Sequence, residues 1–148
     1  MRIYLGVDHA GFQLKEHVRQ WLEAQGHDVV DVGTHDEESV DYPDYARDVA
    51  LAVGGGEADL GVLVCGTGFG MAIAANKFPG IRAVPVSDPE MARMARRHNN
   101  ANIITLAGRF LAPEKAEEIL DAFLSAEYEN GRHQRRIDKI SAFEDSQR

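Results

Sequence analysis

The stretch VLVCGTGFGMAIAANK, Val62 to Lys77, reads as the end of a strand, a glycine-spaced turn and a short helix. The run Leu60 to Cys65 is apolar without polar alternation, as expected of a strand buried in a sheet. The only cysteine of the chain closes that strand, directly before Gly66, Gly68 and Gly70. A lone thiol there is either a buried filler or a reactive group. The glycines make a tight turn, a dinucleotide site or a cradle for developing negative charge.

The same punctuation extends in both directions. Arg2 to Val7 (RIYLGV) reads as a buried strand, followed by a helix with Leu14, Val18, Trp21 and Leu22 on one face and Gly26 as its stop. Asp28 to Gly33 (DVVDVG) is the second strand. After a polar loop, a helix runs through Tyr45, Val49, Ala52 and Val53 and ends at Gly54–Gly56. Beyond the quoted stretch, IRAVPV (Ile81 to Val86) is the fourth strand, and its proline marks an irregular or edge position. Ser87 with Glu90 reads as a capping box, and Pro89 opens a helix carrying Met91, Met94 and Ala95 that ends near His98-Asn99-Asn100. NIITLAG is the fifth strand. Pro113 opens a helix with Ala116, Ile119, Leu120, Phe123 and Leu124 inward. The last helical segment, about 132–146, spaces Ile137, Ile140 and Phe143 along one stripe. That stripe packs on its own domain or on a second subunit.

Alternation of strands and helices with short links predicts an α/β fold. The expectation is a five-stranded, mostly parallel sheet covered by helices on both faces. With 148 residues, a single domain over 1–148 is expected. A composition of 44% hydrophobic and 27% charged residues places the chain among ordinary globular proteins rather than disordered or membrane ones. One cysteine excludes an internal disulfide and points to a reducing, cytoplasmic setting. The N-terminus carries no secretory h-region, and no apolar run is long enough to span a membrane. The net charge of -8 argues against nucleic acid or anionic lipid as partners. An anionic small molecule would need a local cluster of Arg or His.

Ligands of open parallel sheets bind beyond the carboxyl ends of the strands. There the five strands deliver Asp8-His9, Gly33-Thr34-His35, Cys65-Gly66-Thr67-Gly68, Ser87-Asp88 and Gly108-Arg109. Such a convergence of carboxylate, imidazole, thiol, hydroxyl and guanidinium marks a candidate active site. Cys65 precedes a helix whose free N–H groups carry partial positive charge, a setting that favours thiolate, either as base or as nucleophile. GTGFG is not the G-x-G-x-x-G of dinucleotide folds, and no G-K-[ST] follows it. Its successive amides suit an oxyanion or enolate instead. His98, at a helix C-terminus, suits a general acid. Arg132 and Arg136 share a helix face with His133 adjacent, which is either a solvated surface or a phosphate clamp. The six histidines form no H-x-x-x-H pair, so neither metal nor cofactor is expected.

GVDHAGF, DYPDYA, CGTGFGMAIAANK, GIRA, RRHNNAN and YENGRHQRR occur in the order and spacing of type B ribose-5-phosphate isomerases, and the resemblance covers nearly the whole chain. Galactose-6-phosphate isomerases share much of the pattern. The resemblance implies a Rossmann-like three-layer α/β/α fold without a nucleotide and a metal-free aldose–ketose isomerase, built as a homodimer or as two dimers paired into a tetramer, with a small phosphorylated sugar as its partner. It implies Cys65 as the base, with Thr67 beside it. Gly66, Gly68, Phe69 and Gly70 then belong to the loop holding the enediolate oxygen, and His98 is the ring-opening acid. Asp8, His9 and Asn99 would contact sugar oxygens, and Arg109, Arg132 and Arg136 the substrate and its phosphate. His98, Asn99 and Arg109 are expected from the neighbouring subunit. One branch of the family has a glutamate in place of Met71 and lacks the cysteine, so this chain resembles the thiol branch. The bulk of Phe69 and Met71 bears on the choice of sugar. Ribose 5-phosphate is the leading substrate, with allose 6-phosphate, galactose 6-phosphate or a tetrose phosphate as alternatives. A Cys-His hydrolase and a nucleotide-binding module are the rivals from other classes.

Overall fold

The computed structural model describes residues 1–147. Five strands, β1 (Arg2–Val7), β2 (Asp28–Gly33), β3 (Leu60–Cys65), β4 (Ala83–Pro85) and β5 (Ile103–Ala107), alternate with six α-helices. These are α1 (Phe12–Ala24), α2 (Tyr42–Gly54), α3 (Phe69–Ala75), α4 (Pro89–Asn99), α5 (Pro113–Ser125) and α6 (Arg132–Ser146). One turn of 3-10 helix, His9–Gly11, links β1 to α1.

All strand pairs are parallel, in the order β2-β1-β3-β5-β4. The chain moves from β1 to one side for β2 and to the other for β3. The order therefore reverses between β1 and β3, the kind of switch point beyond whose carboxyl ends open parallel sheets bind ligands. All six residues of β3 are buried. Its side chains alternate between two cores, as the two-residue period of a strand requires. Val62 and Val64 face Leu14, Val18, Ile119, Leu120 and Phe123. Leu63 and Cys65 face Val49, Ala50 and Met71. The result is the expected three-layer α/β/α sandwich.

Three local readings are corrected. The fourth strand is only three residues long and pairs with β5 alone, an edge position that Pro85 tolerates because it lacks an N–H. Helix α4 is capped by Asp88 and not by Ser87: the Met91 amide donates to Asp88 Oδ1 at 2.9 Å. The cap thus sits one residue later than expected and takes the Met91 amide in place of that of Glu90. Met91 and Met94 are exposed, and Ala92 and Ala95 are the buried face of α4.

Helix α6 starts at Arg132 as expected. Ile137 is buried, and the Gly80 amide donates to the Glu144 carboxylate. Ile140 and Phe143 stay 54% and 69% exposed, so only part of the stripe packs on its own chain.

A buried lysine ties the first helix into this frame. Lys15 of α1 is 2% exposed, and its ammonium donates to the Thr34 carbonyl at 2.6 Å and pairs with Asp31 Oδ2 at 2.9 Å. The Phe12 ring lies 5.1 Å from the same nitrogen. This knot ties the first helix to the end of β2. Lys15→Met leaves Asp31 without its counter-charge and should lower the unfolding free energy by about 3 kcal/mol. Urea denaturation checks this, and an unchanged midpoint would contradict it.

Candidate active site

At the carboxyl end of β1, Asp8 is buried and spends one oxygen on the backbone. Its Oδ1 accepts the Ala10 amide at 2.9 Å and the Gly11 amide at 3.2 Å. Both bonds go to Oδ1, which leaves Oδ2 for a ligand. His9 follows with a defined polarity. The Val40 amide donates to its Nδ1 at 3.2 Å, which assigns the ring proton to Nε2. The imidazole therefore presents a donor on its other side.

At the end of β3, Cys65 is free and 4% exposed, and the Gly68 amide donates to its Sγ at 3.2 Å. The sulfur thus serves as acceptor for the turn that follows it. The turn needs its glycines for separate reasons. Gly68 has φ +82°, a left-handed conformation that L side chains seldom adopt. At Gly70 a Cβ would fall 2.6 Å from the ring carbons of Tyr42, at the start of α2. Thr67 is exposed, and its Oγ1 accepts the Phe69 amide at 3.2 Å. The amides of Gly66 and Thr67 donate to no acceptor among the described residues. Two backbone donors beside a thiol can hold an oxyanion.

Arg109 lies over this turn. Its Cδ would be 3.4 Å from a Cβ on Gly66, and its amide donates to the Gly66 carbonyl at 3.1 Å. Arg109 thus reaches the loop of its own chain and needs no second subunit to do so. Thr67 and Phe69 line a cavity of about 350 Å³ with Pro85, Val86, Ser87, Ala107 and Phe110. Phe69 is 62% exposed, whereas Met71 is fully buried against α2. A role in sugar choice stays open for Phe69 and falls away for Met71, whose side chain points into the core.

The remaining predicted residues are elsewhere. Helix α4 runs back against the strands, and its eleven residues span about 16 Å. His98 and Asn99 in its last turn therefore stand toward the amino edge of the sheet, opposite Cys65. The turn after them is firmly held. Arg96 donates to the Ala101 carbonyl at 2.5 Å, and Arg82 donates to the Asn100 carbonyl at 2.8 Å. Burial lowers the pKa of both guanidinium groups, yet arginine keeps its charge throughout the physiological range. Asn99 is exposed, and the His98 ring stacks on His133 of α6 at 4.4 Å. Arg132 and Arg136 are carried by the same helix, α6.

Among the described arginines, Arg109, Arg132, Arg135 and Arg136 pair with no carboxylate and donate no side-chain hydrogen bond. Arg135 belongs with them and was not singled out from the sequence; it lies between two arginines that were. Glu129 was also missed. Its Oε1 lies 3.7 Å from His98 Nε2 and 3.6 Å from His133 Nε2. The spacing Glu129-x-x-x-His133 was the only signal for it. No helix among the described residues is long and apolar enough to cross a membrane.

A buried thiol beside free amides at a switch point, with the unpaired Arg109 over the turn, makes a candidate site for an anionic substrate. Residues 3–140 match the family described as Ribose/Galactose Isomerase. The chain is 50% identical to ribose-5-phosphate isomerase B of Escherichia coli, over 97% of this chain and 96% of that protein. It is 41% identical to the galactose-6-phosphate isomerase subunit LacB of Clostridium acetobutylicum, over 94% and 80%. The solved ribose-5-phosphate isomerase B of Clostridium thermocellum superposes with a TM-score of 0.99 at 47% identity, covering all of both chains. That of Mycoplasma genitalium, determined with bound ribulose-5-phosphate, superposes at 0.94 with 42% identity, covering 97% and 96%. The chain belongs to the ribose/galactose isomerase family and is a sugar-phosphate isomerase of the aldose–ketose type.

The contact between Gly70 and Tyr42 is testable. Gly70→Ala should cost about 1–3 kcal/mol of stability by overpacking. It should also slow turnover roughly tenfold or more by displacing the loop. Gly70→Ala combined with Tyr42→Ala should recover most of the stability in thermal unfolding. No recovery would mean that the ring is not what the Cβ meets.

Proposed function

We propose that the chain interconverts ribose 5-phosphate and ribulose 5-phosphate through a cis-enediolate, with Cys65 as the base. The observation that carries this reading is the Cys65 thiol at the switch point, with the Gly68 amide at 3.2 Å from its sulfur. The C2 proton of an aldose is weakly acidic, so its removal needs a base next to a site that stabilises the enediolate. The thiolate takes the proton from C2 and returns it to C1 on the same face. The free amides of Gly66 and Thr67, on the loop that continues through Gly68, Phe69 and Gly70, receive the developing oxyanion. Such donors typically contribute about 2.7–4 kcal/mol each. Thr67 stands beside the thiol, and Asp8 Oδ2 and His9 Nε2–H meet sugar oxygens. No metal or cofactor takes part in this scheme.

His98 is the ring-opening acid, and Asn99 binds the opened sugar. Their distance from Cys65 within one chain supports a homodimer in which each copy lends these residues to the other's thiol. Two such dimers can pair into a tetramer. The exposed Ile140 and Phe143 on α6 and Phe110 beside the site are apolar surface available for such contacts. Arg109 comes from the same chain as the thiol, while Arg132 and Arg136 travel with His98 and hold the phosphate. Each copy acts as a single domain in the reducing cytoplasm, where the thiol stays free.

Turnover on ribose 5-phosphate, allose 6-phosphate and galactose 6-phosphate tests the substrate. The highest kcat/KM is expected on ribose 5-phosphate, and no turnover of it would sink the proposal. Cys65→Ala should lose nearly all turnover while still binding substrate by calorimetry; an active Cys65→Ala removes the base assignment. Arg136→Ala should raise KM about tenfold or more with a smaller change in kcat, the loss of one charged hydrogen bond to phosphate. An unchanged KM would exclude it from the clamp.

A further inference from the structure

We infer that His98, Glu129 and His133 form a binding site for a divalent transition-metal ion of the zinc class. The three come from the last turn of α4, the loop before α6 and the first turn of α6. Their ligand atoms all lie within 4.8 Å of one another. Both imidazoles turn Nε2 toward one carboxylate oxygen, at 3.7 Å from His98 and 3.6 Å from His133. Two donors on a tetrahedral zinc at about 2.0–2.1 Å stand roughly 3.3 Å apart. The carboxylate edges of the triangle are therefore within a few tenths of an ångström of that spacing.

The site is held from behind. The Glu129 amide donates to the Arg97 carbonyl at 3.0 Å, which pins the loop to α4. Glu129 Oε2 faces Arg97 Nε at 3.9 Å, so Oε1 remains for an ion. The His133 amide donates to the Asn130 carbonyl at 3.1 Å, and Asn130 and Gly131 have positive φ, which turns the chain so that Glu129 and His133 meet. His133 is 10% exposed, whereas His98 and Glu129 are 35% and 48% exposed and leave a way in. Two imidazoles and one carboxylate select zinc or cobalt over magnesium or calcium, which prefer oxygen ligands throughout. Three protein ligands leave the fourth position of a tetrahedral ion open. An ion here also takes up the Nε2 of His98. On the proposed function, that withdraws the ring-opening acid, and zinc becomes a reversible inhibitor.

Titration of the chelator-treated full chain with Co²⁺, followed by its visible d–d absorption, tests the site directly and needs no turnover. One Co²⁺ per chain is expected, with affinity at least tenfold lower in both Glu129→Gln and His133→Gln and retained in Cys65→Ser. Circular dichroism checks that the variants are folded; Glu129 is half-exposed, so its substitution is the safer of the two. No absorption change overturns the site, as does equal affinity in Glu129→Gln. Loss of binding in Cys65→Ser alone would move the ion to the thiol and overturn it too. Zn²⁺ should lower turnover of ribose 5-phosphate in step with occupancy, and chelation should restore it. Full turnover at full occupancy would overturn the inhibitory role.

Discussion

Strand β3 takes hydrogen bonds on both edges and packing on both faces, and the rest of the molecule is arranged around that constraint. A parallel strand so enclosed must be apolar along its whole length. Leu60 to Cys65 meet this requirement, and the buried thiol is part of it. The strand must also stop where polar backbone can reach a partner. It stops at Gly66, and the following turn gives its Gly68 amide to the sulfur of the residue that ended the strand. The packing that buries Cys65 thus also fixes the direction of its one hydrogen bond.

Helix direction is the second consequence of the parallel sheet. Each connecting helix must return its chain to the amino edge, so the start and end of a helix serve opposite edges. Asp88 caps α4 on the side of the thiol, and His98 and Asn99 end it on the other. The residues assigned to one reaction are thereby divided into two groups within a single chain. Arg109, which follows β5 instead of a helix, stays with the thiol.

The fold was legible because its signals are local. The breaks at Gly26, Gly54–Gly56, Pro89 and Pro113 punctuate apolar runs whose period is plain, and the edge position of β4 followed from the missing N–H of Pro85. Errors arose where neighbours competed for one role. Ser87 and Asp88 both suit a cap, and the one whose oxygen reaches the Met91 amide is decided by backbone direction. Phe69 and Met71 look alike in sequence, yet two residues along a helix turn through about 200°, so one meets solvent and the other the core. The cluster of His98, Glu129 and His133 joins segments thirty residues apart, and no spacing rule brings such pairs together before the sheet order is known. The candidate loop was legible for the opposite reason: Asp8, Cys65 and Arg109 lie at or just beyond the ends of β1, β3 and β5, and the ends of neighbouring parallel strands must meet.

The unpaired arginines have a kinetic side. The chain carries 24 acidic and 16 basic residues, and its overall field repels anions. Arg2, Arg19, Arg47, Arg93 and Arg97 are matched locally by carboxylates and add little to the field at a distance. Arg109 and the Arg132–Arg136 turn carry no such match, whereas Arg82 and Arg96 are half-buried and turned to backbone carbonyls. On the proposed function, the acidic excess repels a diffusing anion over the surface at large, while the unmatched charge of Arg109 and of the Arg132–Arg136 turn attracts it locally. Added salt flattens both effects together, because repulsion and guidance arise from one uneven distribution of charge.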